Sequence, residues 1–177
     1  MPIALQPATP VALIWALLAD SEETIAAARE HLVQHFGPLR SASDLYPFDF
    51  TTYYAKEMGD SLQKELVCSA ERIPPSELAA VKMQTIELEK TLGRDEGGTV
   101  HRRANIDPGL LSIESLALAT TKYSGHRICI APQLYAEITL LYQQGRYRPL
   151  EWTYPDYRSE EVQRFLLEVR HWLRETR

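Results

Sequence analysis

Apolar and polar positions change period along this chain, and each change marks an element. Val11 to Ala19, VALIWALLA, is an unbroken apolar run, the pattern of a strand buried on both faces. It gives way to Asp20, Ser21, Glu22 and Glu23, where Asp20 with Glu23 three residues on makes a capping box. Ile25, Ala28, Leu32, Val33 and Phe36 then recur at helical spacing until Gly37 and Pro38 stop the helix. In YPFDFTTYY the period drops to two, so that Phe48, Phe50, Thr52 and Tyr54 share one face of an expected strand and Asp49, Thr51 and Tyr53 the other. LQKELVCSAE reads as a second strand pairing back on it.

Pro74 and Pro75 open a helix expected over residues 76–92, closed by the glycine-rich loop GRDEGGT. That loop is the best candidate for a sub-boundary, near 93–99, within a single domain spanning 1–177. LALATTK, HRICI and YAEITLLY read as three strands, with Ser124-Gly125 a two-residue turn between the first two. Ser159 caps a last helix in which Val162, Phe165, Leu166, Val169, Trp172 and Leu173 form one apolar stripe. The order strand, helix, strand, strand, helix, completed by a strand around 102–107 or 115–120, predicts an α+β fold. Its core is a ferredoxin-like split βαβ unit, to which an antiparallel hairpin and strand region and a C-terminal helix are added.

Composition narrows the setting. With 177 residues, 45% hydrophobic and 24% charged, the chain suits one ordinary globular core. A net charge of -5 without any run of Lys or Arg disfavours nucleic acid as a main partner. VALIWALLA is shorter than the roughly 20 residues that span a bilayer, and no Lys or Arg precedes it, so neither a membrane anchor nor a secretory signal is expected. Cys68 and Cys129 match no metal or redox spacing and suit buried thiols in a cytoplasmic protein.

Chemistry is suggested where polar residues break these patterns. A step of about 100° per residue places Lys82, Thr85 and Glu89 inside the arc of Leu78, Val81, Leu88 and Leu92. A buried Lys and Glu are costly unless paired, so they form a structural ion pair or line a wet pocket; the alternative sets the helix at the sheet's rim with their stems reaching outward. The Ser124-Gly125 turn sets Lys122 opposite Arg127 and Tyr123 opposite His126, so that Thr120, Lys122 and Arg127 share a face. Tyr135, Glu137 and Thr139 on the next strand alternate against Ala136, Ile138 and Leu140 and continue that face. Such a surface suits a phosphate or carboxylate, and the simpler alternative is a solvated face with cross-strand ion pairs.

In NIDPG, Asp107, Pro108 and Gly109 have the order of a type II turn, with Asn105 and Asp107 as further ligand oxygens. WTYPDYR offers Trp152, Tyr154 and Asp156 as a lid or as a loop anchored on the core. A metal site would have to gather Asp49, Glu57, Asp107 and Glu137 through the fold. His31 and His35 have the spacing of a metal pair but lack the Glu of H-E-x-x-H and suit a surface position.

The blocks FDFTTYYAKEMG, the Lys82-Thr85-Glu89 helix, NIDPG, LALATTKYSGHRI, YAEITLLY and WTYPDYR, in that order, cover most of the chain. Together they resemble the prokaryotic family catalogued as domain of unknown function 4416, some members of which are labelled GTP-binding protein. The residues themselves do not supply a GTP site. There is no P-loop and no dinucleotide fingerprint, and TTKYS resembles a guanine-reading N/T-K-x-D motif with Ser124 in the place of the Asp. The expectation is a hairpin tip whose Lys122, His126 and Arg127 hold an anion, in a protein that binds a small anionic, phosphorylated or nucleotide-like ligand; the cofactor is unspecified. Alternatives from other classes are a metal-dependent hydrolase or transferase, and a non-catalytic assembly protein that meets a partner or a second copy through WTYPDY and the last helix.

Overall fold

The apolar run becomes β1 (Val11–Ala19), whose side chains alternate between two buried faces in a computed structural model that describes residues 4–51 and 53–176. Helix α1 (Glu22–Phe36) follows and ends where Gly37, at a φ of 85°, turns the chain and donates its N–H to Val33. The N-cap is Ser21, which accepts from the Thr24 N–H, and not the expected Asp20. Asp20 instead takes the Thr24 hydroxyl and the Arg103 guanidinium, a charged partner that an exposed cap lacks. Strands β2 (Leu39–Ala42), β3 (Tyr46–Phe48) and β4 (Leu62–Ile73) come next, with one helical turn, α2 (Ala55–Met58), between β3 and β4.

The strand expected over YPFDFTTYY is thus only its first three residues. Beyond Phe48 the alternation does not follow a pleat: Phe48 is buried against Leu18, Met58 and Leu62, while Phe50 beside it is exposed. Thr52, assigned to that strand's face, lies outside the described residues. After α3 (Leu78–Leu92) the expected loop GRDEGGT is a small hairpin of β5 (Arg94–Glu96) and β6 (Thr99–His101), turned at Gly97 and Gly98 with positive φ. Then come β7 (Ala104–Leu111), β8 (Ser115–Thr120), β9 (Ile128–Ala131), β10 (Leu134–Gln143), β11 (Arg146–Pro149) and α4 (Glu160–Glu175).

The result is an α+β fold on a nine-stranded sheet with a separate two-stranded one. Its strands run β11-β10-β8-β7-β1-β4-β2, with β3 on β4 and β9 on β10, all in antiparallel pairs. On one face Leu13, Trp15 and Leu17 of β1 pack on Ile25, Ala28 and Leu32 of α1 and Val81 and Leu88 of α3. On the other, Ile14 and Ala16 pack with Leu66, Leu111 and Leu140 under Val162, Phe165, Leu166, Val169 and Leu173, the stripe of α4, whose N-cap is Ser159 as expected. No described helix is long and apolar enough to cross a membrane. Cys68 is buried, but Cys129 is exposed and not in the core, because it lies on β9, a strand whose Ile128, Cys129 and Ile130 are all exposed.

NIDPG is no turn. β7 runs straight through it, pairing Asp107 with Ala16 and Pro108 with Trp15 of β1. The turn-like residues serve a sheet that is half open there. Pro108 has no N–H to give, and the ladder to β8 covers only Gly109 to Leu111 against Leu118 to Leu116. Gly109 sits where the two strands come closest, and a Cβ there would lie 2.7 Å from Leu118 Cδ2 and 3.0 Å from the Ala117 carbonyl oxygen. Gly109→Ala is therefore expected to destabilise the fold by about 1–3 kcal/mol in urea denaturation; a change within about 0.5 kcal/mol would show that the strands have room to part.

Candidate functional site

The two backbone groups of a residue in an antiparallel ladder face the same side, and successive residues alternate. Ile106 faces away from β1: its N–H donates to Glu89 Oε1 at 2.7 Å and its carbonyl accepts from Lys82 Nζ at 3.2 Å. Two side chains of α3 stand where a longer β8–β7 ladder would have paired, and they satisfy groups that a buried strand edge cannot leave free. Pro108, two residues on, shares that orientation, so its missing N–H costs only the β8 side. β8 itself continues to Thr120 with β10 alone. A crevice of about 90 Å³ lies between the two strand ends and α3, lined by Lys82, Glu89, Asn105, Asp107, Thr120 and Lys122, with Tyr54, Arg102 and Tyr154 around them.

Its charges are coupled. Lys82 Nζ donates to Asp107 Oδ1 at 2.8 Å and lies 3.8 Å from Glu89. Asn105 donates to the other Asp107 oxygen at 2.7 Å and accepts from Arg102 Nη1 at 3.2 Å, while Arg102 Nη2 reaches Glu57 at 2.8 Å. Burial pushes the Glu89 carboxyl up to about 7 against the opposing pull of Lys82 and the Ile106 N–H. Burial would raise Asp107 too, but the Lys82 charge, with hydrogen bonds from Lys82 and Asn105, outweighs it and holds that carboxyl below its ordinary value. Burial opposes the Lys82 charge, yet Asp107 and Glu89 together raise it above a free lysine. One carboxyl poised near neutrality beside another that stays ionised is an arrangement able to move a proton.

The other wall differs from expectation. β8 and β9 do not form a hairpin at Ser124-Gly125; both pair with β10, and residues 121–127 make a loop closed by the Arg127 N–H to the Ser124 carbonyl. Local turn chemistry was outweighed by β10, which arrives later in the chain and takes an edge of each strand. The polar face expected of Thr120, Lys122, Arg127, Glu137 and Thr139 is accordingly not an open surface: the register keeps Thr120 and Glu137 on one side of the β8–β10 pair, but Glu137 and Thr139 are buried and Arg127 is turned onto Glu137. Glu137 is buried and accepts from Arg127 Nε at 2.7 Å and His126 Nε2 at 2.8 Å. Arg127 then donates to the Lys122 carbonyl at 2.8 Å and the Tyr154 hydroxyl at 3.2 Å. His126 stacks on Trp152 with centroids 4.6 Å apart, and Trp152 donates to the Ile138 carbonyl. Arg127, His126, Glu137 and Trp152 thus hold the loop and Tyr154 in place and do not line the crevice.

The register of β10 shifts between Ile138 and Leu140, burying Thr139, whose carbonyl takes the Thr153 hydroxyl. Thr85 is buried as well and bonds back to the Lys82 carbonyl, a helix-internal contact. Asp49 is exposed and lines none of the cavities described. Thr51 and Asp156 line a second cavity that shares Tyr54, Asn105, Asp107 and Tyr154 with the first. Lys64, Arg102 and Thr121 were missed by the sequence reading. Lys64 was visible in principle, since it falls in phase with Leu62, Leu66 and Cys68 on an apolar strand face; Arg102 and Thr121 sit in short connections with no periodicity. The four carboxylates proposed for a metal are not gathered: Glu57, Asp107 and Glu137 each face their own cation, and no cluster of three or more His, Cys, Asp or Glu able to hold a metal occurs among the described residues.

Glu89 gives the site a pH signature. Below its ordinary value of 4.5 the carboxyl is protonated folded or unfolded; from there to about 7 only the folded chain keeps the proton. The stability it contributes is full at low pH and is lost as pH rises through about 7. Urea denaturation across this range is expected to show wild type losing stability relative to Glu89→Gln as pH rises, whereas parallel curves would contradict the raised carboxyl.

No curated protein and no solved structure matches the chain. The family model for a domain of unknown function, DUF4416, matches residues 9–172, and the chain belongs to that family.

Proposed function

We propose that this protein binds a small ligand through an anionic, acceptor-rich group, a phosphate or a carboxylate, in the crevice between α3, the open end of β7 and the 121–127 loop. The observation that carries the reading is a surplus of donors. Lys122 pairs with no carboxylate, and Arg102 Nε and the Tyr54 and Thr121 hydroxyls have no hydrogen-bond partner, in each case among the described residues. Arg102 Nε is buried and Tyr54 half-buried, while Lys122 and Thr121 stand exposed at the rim; a buried donor without a partner, with a cation beside it, favours a ligand rich in acceptors. The Lys122 ammonium lies 3.9 Å from the Tyr53 ring centroid and hydrogen-bonds the Tyr53 hydroxyl, a neutral partner that leaves its charge uncompensated. A volume of about 90 Å³ is well below the roughly 300 Å³ at which pockets for drug-sized ligands begin, which suits one phosphate or carboxylate group.

The fold beneath the site is read as a ferredoxin-like split βαβ core. The strand order β7-β1-β4-β2, with α1 following β1 and α3 following β4, supports that reading. A second functional reading, assembly with another copy or a partner, is favoured by β9, which exposes Ile128 and Ile130 on a strand that, among the described residues, pairs only with β10. A strictly monomeric mass at high concentration would count against it.

Calorimetric titration with inorganic phosphate tests the main reading. Lys122→Ala is expected to weaken binding about tenfold without changing the fold, since Lys122 is exposed. Equal affinities, or no binding by wild type, would contradict it.

A further inference from the structure

The second cavity lies on the α4 side of the sheet beside the same open end of β7 and has a volume of about 80 Å³. At its floor Lys64 and Asp156 form an ion pair from which solvent is almost excluded, with 9% and 1% of the side chains exposed. The Lys64 ammonium lies 4.7 Å from the Tyr157 ring centroid and 5.0 Å from that of Phe48. So enclosed, an ion pair gives little net stability, and its unused valences show what it suits. An ammonium has three donors, and Asp156 takes one of them. The bonded oxygen of Asp156, Oδ2, also accepts from the Tyr46 hydroxyl at 3.4 Å, which leaves Oδ1 without a partner among the described residues.

A spare donor and a spare acceptor therefore stand side by side on one ion pair, between aromatic walls. That is the complement of a hydroxyl group, which donates and accepts at once, carried on carbons whose C–H faces pack against rings. A purely apolar group would leave both valences unmet, and a second anion would meet the Asp156 and Asp107 carboxylates. We infer that this cavity is the second compartment of one site and that the ligand is a polyol or small sugar bearing the anionic group, its hydroxyls over Lys64 and Asp156 and its anion in the crevice. The inference rests on the anionic reading above and adds the chemical class of the ligand.

Three probes and one variant test it by calorimetry: inorganic phosphate, propyl phosphate and ribose 5-phosphate on wild type and on Thr51→Trp. Thr51 is exposed and lines this cavity but not the crevice, so a bulky ring there fills one compartment and leaves the other open. Ribose 5-phosphate is expected to bind wild type at least about tenfold more tightly than inorganic phosphate, and propyl phosphate to gain no more than about threefold, the difference reflecting hydroxyl hydrogen bonds to charged partners. Thr51→Trp is expected to bring ribose 5-phosphate down to the level of inorganic phosphate while inorganic phosphate itself is unaffected. Inorganic phosphate binding as tightly as ribose 5-phosphate would overturn the inference and leave the anion site standing, and an equal gain by propyl phosphate would overturn the hydroxyl assignment. Failure of all three probes to bind would remove the anion site and this inference together.

Discussion

The structure depends on how one residue of β7 is satisfied. Ile106 presents an N–H and a carbonyl to a side of the sheet where β8 is not paired, and burial forbids leaving them bare. Glu89 and Lys82 supply the missing acceptor and donor. A strand in that position would have closed the sheet, whereas two long side chains close the edge and leave space beyond it. The crevice follows from this substitution, as does its charge, because groups brought in to bond a backbone retain further valences for Asp107 and for solvent.

The opposite wall is built on the same logic. Glu137, buried on β10, is neutralised by Arg127 and bonded by His126, and Arg127 spends its remaining donors on the Lys122 carbonyl and the Tyr154 hydroxyl. One buried carboxylate thereby fixes a loop and the ring of a second segment. Lys122 is positioned through its backbone, and its ammonium meets Tyr53 and no carboxylate among the described residues. The two walls meet at Tyr54, Asn105, Asp107 and Tyr154, the residues shared by both cavities.

Much of this was legible in the sequence, and the limits have physical causes. α4 was clear because a full helical stripe with a Ser cap has few other interpretations, and the Lys82, Thr85 and Glu89 anomaly was clear because three polar groups interrupt an apolar arc. NIDPG misled because the residues that make a type II turn are also those that suit a strand with one bare edge: Pro lacks a donor, and Gly permits close approach. The 121–127 region misled for a different reason. A Ser-Gly pair between two strand-like runs predicts a hairpin from local chemistry, while the pairing that prevails comes from β10, and nothing within the segment records its arrival. Lys64 lay in a run read only as a strand pairing back on its neighbour, and its partner Asp156 is far along the chain, so their ion pair could be recognised only from the fold.

At Ile106, Glu89 and Lys82 take the place of a neighbouring strand. Native-state hydrogen exchange at the Ile106 amide, compared between wild type and Glu89→Leu, tests it most directly. The wild-type amide is expected to be protected to the level of the β7 amides bonded to β1, with selective loss of that protection in the variant while its neighbours are unchanged. An Ile106 amide that exchanges at the same rate in both proteins would contradict it.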